Sequence, residues 1–196
     1  PTGNTQRSSL VCSPQEMGTS GSGQSDGLPA QSILPKILST QIFVQLRSGT
    51  MALSITHTLD LEDSRPSERH PARYRVGLER ILEIHQRHGT RMTVFVVGSL
   101  ARSDPALVTE LADAGHEIGL HSDQHIPIRD LGAEAFEADT QRGMETLAEI
   151  LGKKPAGYRA PIFSLTPDVP FAPQILTDLG FEYSSSELPA THPLFG

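Results

Sequence analysis

Between Met51 and Ser184, short strand-like runs alternate with longer segments of helical period, and this alternation constrains the fold more than any other feature. Ala52 to Leu59 reads as a buried strand that ends at Asp60. Met92-Thr93-Val94-Phe95-Val96-Val97 is a β-branched run closed by Gly98, and 116–121 is a third strand. Gly157-Tyr158-Arg159 forms a short fourth, and Phe181-Glu182-Tyr183-Ser184 a fifth. The intervening segments carry apolar residues at helical spacing: Leu78, Ile81, Leu82 and His85 before Gly89; Leu107, Val108 and Leu111 before Gly115; Phe136, Met144, Leu147 and Leu151 before Gly152; and Ile175, Leu176 and Leu179 before Gly180. Ser103-Asp104-Pro105 supplies a helix cap and a first-turn proline. Such alternation predicts an α/β fold of parallel strands with right-handed crossovers, either a barrel or a doubly wound sheet. In both, ligands collect at the C-terminal ends of the strands.

Three polar clusters lie at those predicted ends. Asp60-Leu61-Glu62-Asp63 follows the first strand, His121 and His125 follow the third, and Arg159-Ala160-Pro161 follows the fourth. A strand ending at His121 and entering one helical turn would bring both imidazoles to one face, where they can bind a single divalent cation. Strand parity places Thr56, Thr58 and Asp60 on one side and Leu53, Ile55, His57 and Leu59 on the other. His121 likewise shares a face with Gly119 and Glu117, opposite Ile118 and Leu120. By the same parity His57 and His116 face the helices and are expected to be structural or partly exposed, while His70, His85, His88 and His192 are expected at solvated positions. Each cluster alone has a bland reading, as a helix cap, a solvated loop or a surface arginine. Their joint placement at successive strand ends argues for one site.

Composition narrows the partners. A net charge of -7 argues against nucleic acid and acidic membrane surfaces. The single cysteine excludes an internal disulfide framework. No apolar run approaches the roughly 20 residues of a membrane span, and Pro1 to Arg7 does not read as a secretory signal, so a cytoplasmic location is expected. Residues 1–50 are rich in Gly, Ser, Gln and Pro and are expected to be a loosely ordered extension, with the patterned domain spanning 51–196 and Met51 its expected natural start.

Amide or ester hydrolysis near neutral pH needs an activated water, a polarised carbonyl and a protonated leaving group. A divalent cation on two histidines and a carboxylate handles the first two, while a separate carboxylate takes the proton. The segment 60–63 supplies enough carboxylates for a base and a ligand, and Arg159 can hold the base ionised and oriented.

These residues reach a family. Thr58-Leu59-Asp60-Leu61-Glu62-Asp63, Thr93-Val94-Phe95-Val96-Val97-Gly98, Gly115-His116-Glu117-Ile118-Gly119-Leu120-His121-Ser122 with His125, Gly157-Tyr158-Arg159-Ala160-Pro161-Ile162-Phe163-Ser164 and Phe181-Glu182-Tyr183-Ser184-Ser185-Ser186 occur in one order. The chain from Met51 onward thereby resembles the polysaccharide deacetylases of the NodB-homology type, carbohydrate esterase family 4. The Asp-Leu-Glu-Asp form is most similar to the branch associated with bacterial exopolysaccharide and lipid-linked glycan gene clusters. The resemblance implies a distorted (β/α) barrel, usually of seven strands. It also implies removal of N- or O-acetyl groups from a sugar polymer or oligosaccharide, with zinc, or another divalent metal such as cobalt or nickel, as cofactor. Carried over by position, Asp60 resembles the catalytic base, Arg159 the arginine that positions it, and His121 and His125 the metal-binding histidines. The N–H of Ile162 resembles the oxyanion donor. The acidic ligand is Glu62 or Asp63; the family's commonest pattern puts it directly after the base, where this chain has Leu61. The family's general acid, a late histidine, has no counterpart before Gly196, so the sequence resembles the first two-thirds of a catalytic domain. Two other functions share the motifs: an allantoinase-like hydrolase of a small cyclic amide, and a non-catalytic protein that binds glycan or metal.

Overall fold

The computed structural model describes residues 55–63, 65, 69 and 72–187. The extension over 1–50, the expected start at Met51, and His70 and His192 lie outside the described residues. Among the described residues five strands, β1 (His57–Leu61), β2 (Met92–Val96), β3 (Glu117–Leu120), β4 (Gly157–Tyr158) and β5 (Tyr183–Ser184), form one sheet in the order β1-β2-β3-β4-β5. Every pairing is parallel. Strands that neighbour one another in strict chain order, with no reversal, wind as a barrel wall does; a doubly wound sheet has a point where the order turns back.

Among the described residues six helices connect them: α1 (Tyr74–His88), α2 (Gly98–Ser103), α3 (Pro105–Asp113), α4 (Ile128–Leu131), α5 (Ala133–Leu151) and α6 (Ala172–Leu179). Gly89, Gly152 and Gly180 close α1, α5 and α6 in the left-handed conformation that lets the next residue turn back to the sheet. Leu59, Leu61, Val94, Val96, Ile118 and Leu120 occupy alternate positions of β1 to β3 and belong to the core with Leu78, Leu107, Leu111 and Leu147 of the helices. Burying each such side chain contributes about 1.5–3 kcal/mol before the entropy of ordering it is subtracted. The opposite face of the same strands carries Thr58, Asp60, Phe95 and Gly119.

Sequence periodicity missed α2, and the cap at α3 differs from expectation. Asp104 stands at the N-cap position without a side-chain cap bond; its carboxylate accepts instead from Arg75 Nε at 2.8 Å, Arg75 Nη2 at 2.5 Å and the Tyr74 hydroxyl at 3.1 Å. A charge-assisted fork from α1 competes better than one backbone N–H. The fifth strand is also shorter than expected, starting at Tyr183 rather than Phe181, which packs against the core.

His85 requires a correction. It is buried, not solvated: its ring lies 5.2 Å from that of His57 and 5.7 Å from that of His116, and its Nδ1 is 2.9 Å from Thr90 Oγ1. His85 belongs to the buried face of α1 because it falls three residues after Leu82 and seven after Leu78. His57 and His116 are on the helix side of the sheet, as parity required. His116 Nδ1 accepts the Met92 N–H at 3.2 Å.

Candidate active site

Arg159 follows β4, and its guanidinium is fully buried beneath the C-terminal end of the sheet. Its Nη1 donates to Asp60 Oδ1 at 2.7 Å and to Thr58 Oγ1 at 3.1 Å. Its Nε donates to the Ser185 carbonyl at 3.0 Å and its Nη2 to Ser185 Oγ at 2.6 Å. The guanidinium carbon also sits 4.2 Å from the centre of the Phe95 ring. A planar fork bonded on three sides and stacked on an aromatic face has little freedom, so it fixes the carboxylate it touches. Thr58 and Asp60 share this partner, which confirms their common face.

His121 is buried directly after β3 and its Nδ1 lies 2.8 Å from the Arg159 carbonyl oxygen. A carbonyl only accepts, so Nδ1 carries the proton and Nε2 presents a lone pair. That nitrogen is 3.9 Å from Asp60 Oδ2. Burial pushes the imidazole below its usual pKa, favouring the neutral form. The His121 and His125 rings are 4.9 Å apart, and His125 Nε2 is 2.9 Å from Glu62 Oε2.

The two histidines do not ride on a helical turn. Residues 121–127 form a loop in which Ser122 and His125 both adopt φ of 58°. The loop is cross-braced: the His125 N–H donates to Ser122 Oγ at 2.8 Å, and the Asp123 and Gln124 N–H groups donate to the two oxygens of Asp139 at 2.8 and 3.2 Å. A helical turn starting after His121 would leave those amides without acceptors of its own; here side chains bind them, and the two rings lie side by side.

Of the acidic candidates, Glu62 faces His125, whereas Asp63 is turned to Arg65, whose Nε lies 2.7 Å from its Oδ2. The structure therefore brings together Asp60, Glu62, His121, His125 and Arg159, and leaves Asp63 apart. Among the described residues no three His, Cys, Asp or Glu side chains are already arranged as a metal shell. The chemistry of the donors nevertheless fits a divalent cation: a neutral imidazole with its tautomer set by a carbonyl, a second imidazole and a carboxylate. The 2.9 Å between His125 Nε2 and Glu62 Oε2 is within about half an ångström of the roughly 3.4 Å separating two ligands of a tetrahedral zinc.

Ile162 lies in a 3-10 turn, Pro161–Phe163, just after Arg159, with φ of 49°, and Phe163 follows with φ of 56°. Among the described residues the non-glycine left-handed positions are Ser122, His125, Ile162 and Phe163, all in the two loops after β3 and β4. Such strain, unusual for a β-branched residue above all, persists only where surrounding structure enforces it, and it gathers at functional sites.

Several supporting residues escaped sequence reasoning. Ser185 and Ser186 bind Arg159 and the Ala160 N–H. Asp123 is buried against Arg102, whose Nη1 and Nη2 donate to it at 2.5 and 3.0 Å, and Arg142 Nε lies 3.5 Å away. Burial raises the Asp123 carboxyl, but the hydrogen bonds from Arg102 and Gln124 outweigh it and leave the group below its usual range. Ser185 and Ser186 stand in the last of the five motifs but without an assigned role; nothing in the sequence linked Asp139 to the histidine loop.

Comparison with known proteins accords with this geometry. The sequence profile described as polysaccharide deacetylase matches residues 70–184, more than half of the chain. A peptidoglycan deacetylase-like protein of Gibberella zeae is 34% identical over 115 residues, covering 57% of this chain and 33% of that protein. Among solved structures, a putative polysaccharide deacetylase from Mycobacterium smegmatis is 32% identical with a TM-score of 0.53, covering 60% of this chain and 40% of that one. A family 4 carbohydrate esterase from Streptomyces lividans, solved with acetate, shares the fold at 24% identity and a TM-score of 0.51, covering 63% and 57%. The chain spans between 26% and 37% of the length of the curated relatives it matches first. With the motifs, the parallel barrel-type sheet and the matching profile in agreement, the chain belongs to the polysaccharide deacetylases of the NodB-homology type, carbohydrate esterase family 4.

Proposed function

We propose that this chain carries the site of a metal-dependent deacetylase acting on an N- or O-acetylated polysaccharide or oligosaccharide. Glu62, His121 and His125 hold one divalent cation, zinc by donor type and cobalt or nickel as substitutes. The supporting observation is the placement of Asp60 between the Arg159 guanidinium at 2.7 Å and His121 Nε2 at 3.9 Å, beside the His125–Glu62 contact. When bound, the cation polarises the acetyl carbonyl and acidifies water. Asp60 is the general base: Arg159 pins Oδ1, so Oδ2, on the histidine side, is the oxygen aimed at the attacking water's proton. Arg159 holds that carboxylate in one orientation. The N–H of left-handed Ile162, in the turn just after Arg159, stabilises the oxyanion of the tetrahedral intermediate. His121 and Glu62 are committed to the cation and are poor proton acceptors, which is why the base is a separate group.

The test uses Asp60→Asn in the intact protein, with acetate release from acetylated chitooligosaccharides and bound metal measured together. Turnover falls about 10²–10⁴-fold while metal content and fold are retained. Near-full activity removes Asp60 as base, and lost metal recasts it as a ligand. Metal binding without acetate release by the wild-type protein favours a binding-only role; turnover of allantoin in its place favours the cyclic-amide reading.

A further inference from the structure

The loop that delivers His125 has no regular backbone ladder to hold it. From Leu120, where β3 ends, the chain passes through left-handed Ser122 and reaches left-handed His125 in three more residues. Both conformations are unfavourable for residues with a Cβ, so something outside the loop must hold them. The Asp123 and Gln124 N–H groups point the same way, forming a small concavity of successive donors suited to an anion. Asp139, on the buried face of α5, fills it: Oδ2 accepts from Asp123 and Oδ1 from Gln124.

We propose that Asp139 is a positioning residue for the metal centre, fixing His125 through the two backbone amides that precede it. The inference rests on His125 being a metal ligand and adds a residue that touches neither metal nor substrate. Asp139 is 2% exposed, and burial together with the neighbouring Asp123 charge raises its carboxyl above the usual range. Burying a carboxylate next to another is costly, and an apolar side chain would serve a purely packing role better. The arrangement makes sense where the shape of the loop matters more than the stability of the helix. The rest of the clamp supports it: Gly98 and Ser99 N–H groups donate to the Ser122 and Asp123 carbonyls at 2.9 Å, and Arg102 of α2 grips the Asp123 carboxylate.

Asp139→Asn separates this role from bulk packing. It is nearly isosteric and relieves the repulsion with Asp123, but one of the two oxygens becomes an NH2 donor, which cannot accept the N–H it faces. In the intact protein, zinc or cobalt affinity measured by competition with a chromophoric chelator is expected to fall about 10–100-fold. In the metal-free protein, hydrogen exchange at the Asp123 and Gln124 amides is expected to accelerate. Val108→Ala, which truncates a fully buried apolar side chain of α3 that makes none of the loop's hydrogen bonds, is the control: it lowers the melting temperature but leaves affinity and those two amides unchanged. Wild-type affinity in Asp139→Asn, or unchanged protection of both amides, overturns the proposal. Absence of metal binding by the wild-type protein overturns it together with the metal-centre reading, and is told apart because the variant and wild type then fail alike.

Discussion

Replacing Arg159 by Met tests the energetic logic of the site. The guanidinium is fully buried, and the Asp60 side chain it contacts is only 16% exposed. Methionine fills similar volume but leaves the carboxylate without its cation and frees Thr58 Oγ1 and two Ser185 acceptors from Nη1, Nε and Nη2. Removing one partner of a buried pair costs about 3–5 kcal/mol, and the residual exposure of Asp60 argues for about 3 here. Asp60→Asn alone leaves Arg159 with neutral acceptors, Thr58 Oγ1 and the two Ser185 oxygens among them, and is expected to cost about 2 kcal/mol. If the stranded charge dominates, the Arg159→Met, Asp60→Asn double variant loses about 2 kcal/mol rather than the additive 5, an interaction of about 3 kcal/mol. Urea unfolding at neutral pH, with the slope checked for constancy across all four proteins, measures each of these losses. Additivity within about 0.5 kcal/mol refutes the reasoning, because it means that Arg159 stabilises by packing and neutral hydrogen bonds and does not hold the base through charge.

The two acidic candidates separate by substitution: Glu62→Gln loses metal, whereas Asp63→Asn retains it and shifts stability by no more than about 0.5 kcal/mol, since among the described residues Asp63 pairs with the partly exposed Arg65. Burial, reinforced by the mutual proximity of the rings and by Arg91, lowers the pKa of His85 and His116 from 6.5. The folded state thus binds fewer protons than the unfolded one. Their stabilisation is complete above about pH 6.5 and is lost as pH falls through the folded values. His85→Gln is expected to flatten the fall in melting temperature between about pH 7 and 5, and an unchanged profile would place the acid sensitivity elsewhere. Gly119→Ala sets a Cβ 2.6 Å from the Phe95 ring that carries Arg159, and 3.1 Å from the Gly157 carbonyl. It is expected to cost about 1–3 kcal/mol and to lower kcat together with stability, as calorimetry and an acetate assay would show.

Much of this architecture is written locally. β-Branched runs such as 92–97, period-3.6 stretches such as 136–151, and the glycines that stop the helices need only near neighbours to be read. Parity alone assigned Thr58 and Asp60 to one face of β1 and Leu59 to the other. The motifs brought Asp60, His121, His125 and Arg159 forward together because each sits at a strand end, and parallel strands put those ends side by side. Three things were decided only by the tertiary fold. Glu62 and Asp63 differ by one backbone step, and only the direction of the chain beyond β1 turns Glu62 to His125 and Asp63 to Arg65. The histidine pair occupies a strained loop rather than a helical turn, and Asp139, fourteen positions after His125, supplies the acceptors for its Asp123 and Gln124 amides. His85 is buried because its partners His57 and His116 arrive from β1 and from the residue before β3. Local sequence specifies which groups an element presents and on which face. Which distant group meets them is set by packing, and burial and hydrogen bonding then decide what each can do.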